Sequence, residues 1–128
     1  MNASLNLLIG WLWILLGFVA GMLLGLFFHQ ENWLGGYGSF KRRMYRLAHI
    51  SFFGLGTVNL LFGLTARSWL VPGQLATAAS ISFVVGALTM PLCCALLASF
   101  PKAQSLFAVP VTSLIAGGVL MLIQLTKL

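Results

Sequence analysis

Four long stretches of this chain carry almost no side chain that water would hold, and each is about as long as a membrane-crossing helix. A bilayer hydrocarbon core about 30 Å thick needs roughly 20 apolar residues at 1.5 Å per residue. The apolar runs fall at about 5–28, 47–66, 76–99 and 106–125. They are continuous rather than alternating in polarity, which favours helices over barrel strands. Turn signals separate them: GGYGS in the first connection, RSWLVPG in the second, FPKAQS in the third. The expected fold is an all-α integral membrane bundle of four transmembrane helices, one domain over residues 1–128 with no room for a soluble one. The first run has no Lys or Arg before it and is too long for the apolar part of a signal, so it reads as a retained span.

Composition excludes the soluble alternative. The chain is 60% hydrophobic and 6% charged, whereas roughly a quarter of the residues of a soluble domain carry charge. Seven Lys and Arg against one acid give a formal charge of +6. Those bases stand at the ends of apolar runs and not on a basic face, which points to topology and lipid headgroups and away from nucleic acid.

The connection at 29–46 holds Lys41, Arg42, Arg43 and Arg46, and Lys102 falls in the third connection on the same side. The opposite side has Arg67 and Lys127. Positive charge concentrates on the cytoplasmic side of a membrane, which predicts both termini outside and 29–46 as a cytoplasmic basic connection, with a bacterial inner membrane as the expected location. Its four bases, flanked by Trp33, Tyr37, Phe40 and Tyr45, are candidates for binding anionic headgroups.

Inside lipid, burial from water cannot pull helices together, so close backbone approach and interhelical hydrogen bonds must. Gly17, Gly21 and Gly25 form a fourfold-spaced stripe in the first span. Gly56 and Gly63 recur at seven residues in the second, with Asn59 nearby. Gly86 and Gly117 mark the third and fourth. These are the expected packing positions, and Asn59 and Gln124 are intramembrane amides that need partners. Pro91 has no N–H for the carbonyl of Ala87, so that carbonyl is freed and a bend is expected. Pro110 suits the first turn of its helix.

Candidate chemistry is sparse. His29 and His49 end and begin consecutive spans, so antiparallel helices would bring them to similar depth. Two facing neutral imidazoles are what a haem b needs. Met90 and Cys93 share a helix face and, with His49, would offer a soft metal such as copper(I) its preferred donors. Catalysis is not expected. Glu31 has no second acid beside it, and no Ser or Cys nucleophile has a histidine and an orienting acid at matching depth. Small multidrug exporters carry a carboxylate in the middle of the first helix, and this first helix has none. The segment GTVNLLFG at 56–63 resembles the GT…N…G segment of small dual-topology fluoride channels, while the third span opens ATAASISFVV where those channels carry TTFST. The function expected is therefore that of a non-catalytic accessory or assembly protein. It would pack against other membrane helices or copies of itself, with haem binding, a copper site or small-solute transport as alternatives.

Overall fold

The structure, a computed structural model, describes residues 3–70 and 72–127. All the regular elements among them are helical: α1 (Ala3–Phe27), α2 (Phe40–Ser68), α3 (Gln74–Ser99) and α4 (Ala108–Leu125). A single 3-10 turn, Trp33–Gly35, lies in the first connection, and a 3-10 segment, Pro101–Phe107, leads into α4. All four helices, α4 together with its lead-in, are long and apolar enough to cross a membrane.

The helices stack in chain order, α1 on α2, α2 on α3 and α3 on α4. α1 meets α3 only briefly, and α1 and α4 share no substantial interface, so the bundle is an open layer centred on α2 and α3. Its core gathers Phe62, Ala66, Leu70, Ala76, Ala79 and Phe83. Leu8, Trp11, Leu15, Phe18 and Met22 face outwards along α1. Large apolar side chains on the outer face are consistent with a membrane bundle, since lipid tails are as apolar as the side chains that would meet them.

α2 begins well before its apolar run. The Ser39 hydroxyl accepts from the Arg42 backbone N–H at 3.1 Å, the capping bond that serves an otherwise unpaired donor of a first helical turn. The basic run, expected in a connection reaching residue 46, is therefore helical from Phe40. α4 holds Pro110 in its first turn.

α1 and α2 meet through a register in which each level pairs one glycine with one larger side chain. Leu7 fills the notch at Gly63, Leu60 that at Gly10, Ile14 that at Gly56, Phe53 that at Gly17, and His49 that at Gly21. Each level steps three or four residues forward along α1 and the same number back along α2, the antiparallel seam of two slightly supercoiled helices. At Gly10 and Gly56 the backbones themselves close in: a Cβ on either would stand 2.9 Å from the other's carbonyl oxygen. α3 and α4 repeat the device, with Leu114 against Gly86 and Phe83 against Gly117. Seven of the eight expected packing positions, Asn59 included, thus lie at helix contacts. Gly25 does not. It is exposed and nothing would meet a Cβ there within 4 Å, because α1 has by then left the seam.

Candidate functional site

The two ends of the layer are built differently. At the end where the chain begins, three buried polar side chains join three helices. Asn6 on α1 donates from Nδ2 to Asn59 Oδ1 on α2 at 2.9 Å, and its Oδ1 accepts from Ser80 Oγ on α3 at 2.5 Å. Asn59 Nδ2 in turn donates to the carbonyls of Leu55 at 2.9 Å and Phe83 at 3.3 Å. Asn6 and Asn59 are wholly enclosed, and every polar atom of both amides has a partner, as enclosure demands. One layer higher, Trp13 donates from Nε1 to the Ala87 carbonyl at 2.9 Å. That is the carbonyl Pro91 leaves free, so a tryptophan of α1 replaces the missing backbone donor of α3.

Beyond Trp13, towards the basic end, no side-chain hydrogen bond among the described residues links α1 to α3. There the two helices part over α2 and leave a groove of about 720 Å³. Its walls are Ala20, Leu23, Leu24 and Phe27 of α1 and Leu88, Pro91, Leu92 and Ala95 of α3, with Tyr45, Ala48, His49 and Phe52 of α2 as floor. Trp33 and Leu34 close the rim. Trp33 stacks on Phe27, ring centroids 5.3 Å apart and 18° from parallel. The volume lies within the range of roughly 300–1,000 Å³ usual for small-molecule sites, and an apolar, aromatic lining is equally usual.

Arg42 holds the rim in place. Expected at the headgroups with Lys41, Arg43 and Arg46, it is instead 3% exposed. Its guanidinium donates to the carbonyls of Phe28 at 3.0 Å, Gln30 at 3.3 Å and Glu31 at 3.5 Å. It also lies 5.3–5.5 Å from the ring centroids of Phe28, Trp33 and Tyr37. Five donors in a flat fork suit three carbonyls and three aromatic faces, where a lysine ammonium would serve fewer. Ser39 assists by donating to the Leu34 carbonyl at 2.7 Å, in a turn that runs Leu34, Gly35 and Gly36 at φ of 55°, 85° and 96°. Arg46 covers the Tyr37 ring at 4.2 Å.

The two histidines are not brought face to face. His49 sits at the level of Gly21, with its ring edge in that notch and against Phe53 at 5.3 Å. His29 is exposed two residues beyond the end of α1, eight residues on from the level of Gly21. The equal depth expected from chain reversal fails because the antiparallel seam pairs residue 49 with 21 and not with 29. The placement of the two histidines gives no support to a haem held between them. His49 Nδ1 is enclosed without a hydrogen-bond partner. The copper set also separates. Cys93 faces the Leu106 carbonyl at 3.5 Å on the α4 side, Met90 packs with Trp13, Leu55 and Ala87, and His49 lies in the groove. Among the described residues no group of three or more His, Cys, Asp or Glu side chains is placed to hold a metal ion.

Compared with protein families, characterised proteins and solved structures, the chain matches none.

Proposed function

We propose that this is a non-catalytic accessory protein of the membrane that holds an apolar guest in the groove between α1 and α3. The observation that carries the reading is the groove itself: about 720 Å³, lined almost wholly by hydrocarbon and aromatic rings and opening sideways from helices built to sit in lipid. A cavity of that kind does not stay empty in a bilayer, because its lining would forfeit the dispersion contacts that a guest restores. The test is to extract the full chain gently from its membrane and assay lipophilic compounds retained at one per protein. Filling the groove with Ala20→Phe or Ala95→Phe removes the retained compound on this proposal. Retention unchanged in both variants overturns it.

The outward faces of α1 and α4 extend the proposal to larger assemblies, either with other membrane proteins or between copies. A defined complex larger than one chain in mild detergent supports that extension, and a monodisperse single chain contradicts it. Orientation with both termini outside a bacterial inner membrane is part of the same proposal. It predicts that a cysteine replacing Lys41 is shielded from impermeant reagents added to intact cells, while one replacing Lys127 is labelled.

A further inference from the structure

The groove has a direction. On α2, the floor residues Tyr45, Ala48 and Phe52 lie on one stripe, and Lys41 continues that stripe one turn further towards the basic end. On α3, Leu88, Pro91, Leu92 and Ala95 continue to Ser99 at the same end. Both residues are exposed. Two structural elements of the groove therefore run out into a cation and a hydroxyl, while the opposite end is shut by the Trp13–Ala87 hydrogen bond. Of the other bases on α2, Arg42 is buried, Arg46 lies over Tyr37, and Arg43 is two residues, or about 200°, around the helix from Lys41. From Lys41 to Phe52 the rise is about 16 Å, close to the depth of about 15 Å of a single leaflet's hydrocarbon.

We propose that the guest is an anionic membrane lipid, with one acyl chain along the groove and its phosphate at Lys41 and Ser99. This rests on the reading that the groove takes an apolar guest, and adds the guest's charge and its polarity of entry. His49 is part of the groove floor, eight residues or about 12 Å along α2 from Lys41, so it meets the acyl chain and not the phosphate.

The test is native mass spectrometry of the full chain, titrated in mild detergent with phosphatidylglycerol or, separately, phosphatidylcholine. One phosphatidylglycerol binds in preference to phosphatidylcholine. Lys41→Gln weakens it about fivefold, the equivalent of the about 1 kcal/mol that one base contributes beside an anionic surface. Arg43→Gln leaves it unchanged. Ala20→Phe and Ala95→Phe, on opposite walls, each abolish it, so a folding failure in one does not decide the matter. Equal binding of the two lipids with no effect of Lys41→Gln, but with loss in the filled variants, overturns the anionic assignment and leaves the groove's role intact. Binding that survives both filled variants overturns both.

Discussion

The two halves of α1 belong to one unbroken helix and yet do opposite things. From Ala3 to Gly21 it lies in a seam where glycine and side chain alternate, and Asn6 and Trp13 carry it across to α3. Beyond Gly21 the seam ends, a Cβ on Gly25 would meet nothing within 4 Å, and α1 stands off from α3 across the groove. Hydrophobicity does not distinguish the halves, since both are leucine-rich. What differs is the supply of hydrogen bonds between helices and of notches that are filled. In lipid, apolar surface is equally content against a tail or a helix, so helices stay together only where shape and polar groups hold them. Among the described residues no side-chain hydrogen bond joins α1 to α3 at the open end, so nothing polar holds the two helices together there.

That contrast is broken most severely at the tightest contact. Gly56→Leu forces α1 and α2 apart where a Cβ already meets backbone. It should cost about 3 kcal/mol or more, read as a fall in thermal unfolding temperature in detergent. Asn59→Leu comes next. It leaves Asn6 enclosed with one partner fewer and should cost about 1–3 kcal/mol, with Asn6→Leu, Asn59→Leu together costing less than the sum. Trp13→Phe removes the donor to Ala87 and should cost about 1 kcal/mol. The cost should shrink in a Pro91→Ala background, where a restored backbone N–H takes the same carbonyl. A double-mutant cycle showing no coupling would disprove the pairing of Pro91 with Trp13. Gly25→Ala is the smallest change and has the opposite sign. With open space around it, the methyl group only relieves the helical cost of glycine and should stabilise by about 0.5–1 kcal/mol. A destabilisation there would mean that the seam continues to Gly25.

Much of the closed half was legible in the sequence. Glycine positions located six notches on α1–α2 and α3–α4 that the structure fills, and the proline marked a carbonyl that needed a donor. The donor itself was not legible, because a tryptophan in an apolar run signals equally well a lipid-facing ring. Asn6 was missed for a related reason: it stands at the margin of the first run, and only tertiary packing shows that it meets Asn59 and not solvent. Gly10 lies seven residues before Gly17, outside the fourfold stripe, and spacing alone does not mark it as the seam's closest backbone approach.

The open half was less legible. A stripe of glycines specifies which face is smooth but not how far a neighbour follows it, so Gly25 looks identical to Gly17 on paper. Chain reversal suggested equal depth for His29 and His49, but depth is set by the seam's register, which depends on which knob enters which notch. Arg42 differs from its neighbours only by its angle around α2, about 100° per residue. That angle turns it under Phe28 and Trp33 while Lys41 is exposed. Charge counting sees four equivalent bases where the structure makes one a clasp.

The most direct measurement uses the protein's own fluorescence. Trp13 stands where the locked and open halves meet, and replacing Trp11, Trp33 and Trp69 with phenylalanine leaves it as the single tryptophan. In bilayers whose acyl chains carry bromine, a chain lying in the groove quenches Trp13 strongly, and Ala20→Phe or Ala95→Phe reduces that quenching severalfold. Trp13 emission indifferent to bromine, or quenched equally with the groove filled, would contradict an open half between α1 and α3.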